Sequence, residues 1–522
     1  MHAEDSVAPE PERLPDNSRT SEEGAGWKCG RPGTFTELMP DDNVPGFSWR
    51  RPAVLWRSRN DVVARLFGDP SNALRRRCVA ALGERGAPAA FTVHKKETEF
   101  SFVLMGDTGE GDRSQYAVVP PLLSAGKDTD FLVVASDVIY PTGDTGDYEN
   151  KFFRPYRDYP GPIYAVPGNH DWYDGLRGFL RVFCDLDIDC TPDGWRGGWR
   201  SALSFVPRLL WRRSGKFSDE QLAKIRAHYR GAASQRNVQP GPYWAIDSPA
   251  LRIIGIDTGI TGSIDRDQAA WLREVSAGPK PKMLVTGKPL YVDDQHRPGV
   301  IEGETGTVDD IVRDPAHNYV AAIGGDIHNY QRYPMPLDDG RTMQYVVAGG
   351  GGAYMHATHV IPKTIGVEED TFRCYPLRGD SLSRYSQLYG RWFHLPKLFS
   401  LTPEEATAAV VHRLGIKPGR GYNGHAPSRR ARFVAAVLGV PHVKWRRTRY
   451  TRLPVRKVPQ RFRSELADWD RPPFFKSFLR LDVTGDELRI RNFGVSGCGD
   501  HEHRPPIEDE FVIRLRPDRS DS

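Results

Sequence analysis

Short apolar runs, each closed by a small polar cluster, recur through the middle of the chain. Phe102-Val103-Leu104-Met105 leads into Gly106-Asp107-Thr108-Gly109, and Phe131 through Ala135 leads into Asp137-Val138-Ile139-Tyr140. A third cluster is Gly168-Asn169-His170-Asp171. Met283-Leu284-Val285 precedes Thr286-Gly287-Lys288-Pro289, and Val320 through Gly325 precedes Asp326-Ile327-His328. Apolar runs of roughly four to eight residues, separated by stretches long enough for crossover helices, predict strands buried on both faces of a parallel or mixed sheet. Residues just past the strand ends of such a sheet collect along one rim, where open α/β sheets bind ligands. Asp and Asn bring hard oxygen donors to that rim and His a nitrogen donor, a set suited to metal ions. Singly, each cluster reads more readily as a turn or a helix cap than as a ligand set; five in order, each behind an apolar run, read as a site.

The series resembles the calcineurin-like metallophosphoesterases. The Gly-Asp-x-Gly, Asp-x-x-Tyr and Gly-Asn-His-Asp forms of its motifs resemble the purple acid phosphatase branch of that superfamily. The resemblance implies an α/β fold of two mostly mixed β-sheets in a sandwich flanked by helices. It implies a first metal held by Asp107, Asp137, Tyr140 and His328, and a second by the shared Asp137 with Asn169. His170 matches the residue that steadies the substrate phosphate and helps protonate the leaving group; Asp171 and Lys288 complete the expected catalytic set.

Two positions depart from the family pattern. Gly287, followed by Lys288, stands where the family has a metal-binding His, and Asp326 stands for the first His of Gly-His-x-His. Asp326 is expected to lend the second ion an oxygen. Lys288 either neutralises phosphate as a fixed charge in place of that ion or points to solvent at a strand end. Asp112 and Tyr148 are further candidates for the second site, and His356 and His359 read equally as loop packing or as a ligand pair. The expected activity is metal-dependent hydrolysis of phosphoesters by a metal-activated hydroxide at a full first site beside an altered second one, with one or two ions of Fe, Mn or Zn. The alternative is a non-catalytic member of the same fold acting as a binding or scaffold module.

Around this core, residues 1–47 are polar and Pro-rich and read as disordered. Residues 48–97 read as a helical extension, its helices split at Gly68-Asp69-Pro70. Residues 98–360 form the phosphoesterase domain, with an insertion over 175–239 containing Trp195, Trp199 and Trp211. A second insertion spans 361–472. Residues 473–516 return as strands that complete the domain: Lys476–Val483 and Glu487–Phe493 about a turn at Thr484-Gly485-Asp486, then Glu510–Leu515.

Composition supports a sizeable core, with 39% hydrophobic residues in 522. No stretch approaches the roughly 20 apolar residues that span a bilayer, and the acidic, Pro-rich start is unlike a signal peptide, so a cytoplasmic location is expected. Six Cys without C-x-x-C spacing predict buried thiols rather than disulfides. A net charge of +5 demands no polyanionic partner. Residues 444–463 are the exception: nine basic and no acidic residues, with Trp445, Tyr450 and Phe462, a composition able to touch nucleic acid or an anionic membrane or to form a solvated strap.

Overall fold

The computed structural model describes residues 29, 31–40, 51–87, 90–189, 192, 205–236, 238–418, 422–444 and 472–516. Among the described residues, fourteen strands build the two large sheets. They are β1 (Thr92–His94), β2 (Phe100–Met105), β3 (Phe131–Val134), β4 (Ile163–Ala165), β5 (Trp244–Asp247), β6 (Arg252–Ile256) and β7 (Lys282–Thr286), then β8 (Tyr319–Gly324), β9 (Tyr330–Pro336), β10 (Thr342–Ala348), β11 (Arg373–Tyr375), β12 (Lys476–Val483), β13 (Glu487–Val495) and β14 (Ile507–Arg514). One sheet runs β14-β13-β12-β2-β3-β4 and the other β1-β5-β6-β7-β8-β10-β9-β11. The motif-bearing strands pair in parallel, β2 with β3 with β4 and β6 with β7 with β8, while the C-terminal strands join antiparallel. The expected sandwich of mixed sheets is therefore present, and β12 against β2 closes a domain whose parts lie far apart in sequence.

Alternation along the strands explains the layering. In β2, Phe102 and Leu104 enter the core between the sheets with Val133, Trp244, Val285 and Ile323, while Val103 and Met105 enter a second core beneath the helices. Both faces are buried, so these strands read as continuous apolar runs rather than alternating ones.

The helical extension lies over Pro52–Arg57, Asn60–Phe67 and Ser71–Glu84, broken where Gly68-Asp69-Pro70 was expected to break it. The last strand starts at Ile507, three residues before the expected Glu510. The second insertion is helical over Arg378–Trp392, Pro396–Phe399, Pro403–Leu414 and Arg429–Val437, though its first part contributes β11 to the larger sheet.

Two expectations need correction. Part of the stretch read as disordered is packed: Thr34–Glu37 forms a 3-10 turn whose Phe35 is buried edge-on against Phe474, ring centroids 5.8 Å apart. Cys29 and Cys498 also form a disulfide across 469 residues, where thiols were expected. Cys78, Cys184 and Cys374 do remain thiols. The basic run 444–463 lies, apart from Lys444, outside the described residues, as do Trp195 and Trp199.

Candidate metal centre

The ends of β2, β3, β4, β7 and β8 deliver the five polar clusters to one rim. Three carboxylate residues there hold left-handed backbone, Asp107 at φ 60°, Asp137 at φ 30° and Asp326 at φ 65°. An L-residue in that region costs about 1–2 kcal/mol, a strain that accumulates at functional sites. Glycines make the fit possible. A Cβ on Gly325 would come within 2.8 Å of Asp107 Oδ2, one on Gly349 within 2.5 Å of the same atom, and one on Gly168 within 2.1 Å of Asp137 Oδ1.

At the first site the Tyr140 hydroxyl lies 3.0 Å from Asp137 Oδ2, 3.2 Å from Asp107 Oδ1 and 3.1 Å from His328 Nε2. His328 Nε2 is 3.8 Å from Asp107 Oδ1. The His328 ring is fixed by Nδ1–H donating to the Tyr354 carbonyl at 2.8 Å, which leaves Nε2 as the lone-pair nitrogen facing the tyrosine. Burial holds this imidazole at a pKa of about 4, so it is neutral, the form that ligates metals.

Charge in the pocket is unbalanced. Burial, and after it the neighbouring Asp137 and Asp326, pushes the Asp107 carboxyl well above its ordinary range; burial and Asp326 push Asp137 up to about 7. Asp107 Oδ2 is buried with no hydrogen-bond partner. Among the described residues no three His, Cys, Asp or Glu side chains group closely enough to hold a metal by themselves, so any first-site set depends on Tyr140. The donor types fit a metal, and the three Tyr140 contacts match the edge of about 3.0 Å between ligands about 2.1 Å from an octahedral ion, whereas His328 and Asp107, 3.8 Å apart, stand wider than such an edge.

The second site is arranged differently. Lys288 Nζ lies 2.5 Å from Asp326 Oδ1 and 3.1 Å from Asn169 Oδ1, so Lys288 turns into the cleft rather than out to solvent. Burial would raise Asp326, but Lys288 outweighs it and holds the carboxyl below its usual range. Asn169 is oriented by its amide, which donates to Tyr173 Oη at 2.8 Å. Gly287 faces a wall: a Cβ there would meet the Pro167 carbonyl oxygen at 2.9 Å and Thr258 Oγ1 at 3.0 Å. Neither Asp112 nor Tyr148 reaches this site. Asp112 caps the helical turn Arg113–Tyr116, and Tyr148 is buried edge-on against Phe152 and Phe183.

His170 is half-buried between two rings, with centroids 4.4 Å from Tyr140 and 4.7 Å from Tyr173. Its backbone N–H donates to Asp137 Oδ1 at 2.7 Å and its Nδ1 lies 2.9 Å from the Pro141 carbonyl. Asp171 is the correction in this motif. It is fully buried, and its carboxylate accepts the backbone N–H groups of Val138 and Gly168 at 3.0 Å and of Ile139 at 3.3 Å. Asp171 therefore ties the second motif loop to the third and faces backbone in place of a substrate. His356 stacks on His328 at 4.3 Å and accepts the His328 backbone N–H through Nδ1, while His359 bonds Ser381 and the Leu438 carbonyl.

The extension supplies a roof that sequence reasoning missed. Val54 and Leu55 pack on Tyr140 and Ala353. Arg57 pairs with Asp144 at 2.9 Å and Asp147 at 2.7 Å, in the loop after Tyr140, and Asn60 donates to the Tyr173 carbonyl at 2.8 Å. Arg212 of the first insertion also binds Asp144. The first site is thus closed over, whereas Lys288, Asp326 and His170 stay half-buried on the side that opens to solvent.

Residues 100–330 match the family model for calcineurin-like phosphoesterases. Among solved structures, the purple acid phosphatase PPD1 from yellow lupin (Lupinus luteus) seeds is 11% identical with a TM-score of 0.37, covering 80% of this chain and 54% of its own. This chain thus spans about half of the lupin protein's length. GAP50, the anchor in the inner membrane complex of Plasmodium, is 8% identical with a TM-score of 0.36, covering 81% of this chain and 91% of its own. PhoD is 10% identical with a TM-score of 0.34, covering 81% and 70%. A search of curated proteins found no match.

Proposed function

We propose that this chain is a metal-dependent hydrolase of phosphoesters with one full metal site and a lysine in the second. The observation that carries the reading is the Tyr140 hydroxyl set 3.0–3.2 Å from Asp137, Asp107 and His328. Asp107, Asp137, Tyr140 and His328 would hold the ion, with iron, manganese and zinc all compatible with these donors. A metal bound there supplies Lewis acidity toward the phosphoryl group and lowers the pKa of water.

The chain's own residues do the rest. Nδ1–H of His170 donates to the Pro141 carbonyl, which leaves Nε2 on the far side of the ring, where the doubly protonated imidazolium steadies phosphate and passes its Nε2 proton to the leaving oxygen, returning to the neutral ring. Lys288 places a permanent positive charge between Asn169 and Asp326, on the open side where substrate enters, and offsets the charge of the phosphoryl oxygens. Asp171 holds both loops in register. The roof over Tyr140 keeps bulk water from the closed side.

Metal analysis of the purified protein beside hydrolysis of a panel of phosphoesters tests the proposal. Asp137→Asn should lower metal content and hydrolysis together; full retention of both would refute the assignment. One observation favours a second reading, a binding module of the same fold, because Lys288 already engages two ligand positions of the second site. Metal binding without hydrolysis of any phosphoester would select it.

A further inference from the structure

The second insertion exposes an apolar surface that phosphoester hydrolysis does not use. From Arg391 to Leu398, eight consecutive residues face solvent. Trp392 is 52% exposed, Phe393 39%, Leu395 49% and Leu398 41%. The exposed rings are held in place: Trp392 stacks on Phe393 at 5.6 Å with planes 8° apart, and Phe393 lies 5.7 Å from the buried Phe399. Phe433, 50% exposed, stands on the helix Arg429–Val437. That helix is tied to the same turn through Arg430, which donates to the Ser400 carbonyl at 2.7 Å and pairs with Glu405. Single exposed apolar residues are ordinary on a protein surface, but a contiguous group marks a contact site.

The surrounding charge defines the partner. Residues 391–400 include Arg391, His394 and Lys397, and residues 425–444 include Arg429, Arg432 and Lys444 besides Arg430, whose charge Glu405 offsets; neither stretch itself contains an Asp or Glu. Beyond Lys444 the sequence adds eight more basic residues by position 463. Surfaces that lie on a bilayer place Trp, Phe and Leu about 5–10 Å into the headgroup boundary and Lys and Arg against anionic headgroups. Nucleic acid would employ the aromatic faces and the cations but offers nothing to Leu395 and Leu398. A second copy would bring like charges together across a self-complementary interface. No helix among the described residues is long and apolar enough to cross a membrane, so the contact is one of lying on the surface.

We propose that the face formed by Trp392, Phe393, Leu395, Leu398 and Phe433 docks onto an anionic lipid bilayer, with Lys397 and Arg432 against the headgroups. The full-length protein is mixed with phosphatidylcholine vesicles made with or without phosphatidylserine and followed by co-sedimentation. Binding should require phosphatidylserine and fall roughly tenfold in high salt, where headgroup attraction is screened. The combined Leu395→Ser, Leu398→Ser and Phe433→Ser variant should lose binding at an unchanged melting temperature, and the paired Lys397→Glu and Arg432→Glu variant should also lose it. Absent binding, or binding that both variants retain, would overturn the proposal. So would tighter association with single-stranded nucleic acid, or a dimer that the triple variant dissolves.

Discussion

Lys288 and Asp326 form an ion pair at the heart of the second site, Nζ to Oδ1 2.5 Å, with Asn169 Oδ1 a further 3.1 Å from the same ammonium. A side-chain cation thus stands among groups that the family resemblance assigns to a metal. The protein should bind about one metal per chain, and Lys288→Ala should slow turnover at least about tenfold, a barrier change of about 1.4 kcal/mol. If Asp326 instead completes a second metal site, Asp326→Ala should take the stoichiometry from about two to one while Lys288→Ala does little. Gly287→His should not restore a two-metal site, because its Cβ meets the Pro167 carbonyl at 2.9 Å.

Tyr140 bears on metal identity. A phenolate ligand suits ferric iron, so an iron-loaded protein should absorb in the visible and Tyr140→Phe should bleach it. A colourless, active protein containing only manganese or zinc would rule iron out.

Asp171 accepts three backbone N–H groups from two loops. Its removal leaves buried donors without acceptors, at about 1–3 kcal/mol for each. Asp171→Ala should therefore lower the melting temperature strongly and weaken metal binding. The pH profile of the residual hydrolysis should keep its shape; a lost limb in that profile would give Asp171 a direct role in proton transfer.

Asp174 supplies a pH test. Burial, and then the Asp144 charge, pushes its carboxyl up to about 8, against about 3.9 in an unfolded chain. The folded state holds this proton more tightly than the unfolded state does. The group's contribution to stability is complete below about pH 4 and is lost as pH rises toward about 8. Asp174→Asn, which keeps an acceptor for the Gly178 N–H and the Ser214 hydroxyl, should flatten the fall in melting temperature across that window. Parallel wild-type and variant curves would show that Asp174 does not titrate there.

Cys29 and Cys498 join the chain's two ends, so reduction or Cys29→Ser should lower thermal stability by about 2–4 kcal/mol. Peptide mapping without reductant should recover the linked pair. Such bonds persist in oxidising compartments and are rare in the cytosol. Mapping after thiol blocking in the source cell therefore also tests the cytoplasmic location expected from the sequence.

Some of this was legible locally. An apolar run followed by Gly-Asp or Asn-His is a short-range signal, and a strand buried on both faces has to be written that way, so the rim and its Asp107, Asp137, Asn169 and His328 could be placed from pattern alone. The break at Gly68-Asp69-Pro70 and the β12–β13 hairpin were equally local. Tertiary structure decided whatever depends on residues distant in the chain. Spacing cannot show that Cys29 meets Cys498, that Val54 and Leu55 cover Tyr140, or that the short edge strands β1 and β11 extend the larger sheet. The roles of Asp171 and Lys288 belong with these, since a carboxylate and an ammonium are defined by what they face. Asp171 faces three amides and Lys288 faces Asp326, and only the packing of one loop on another determines that.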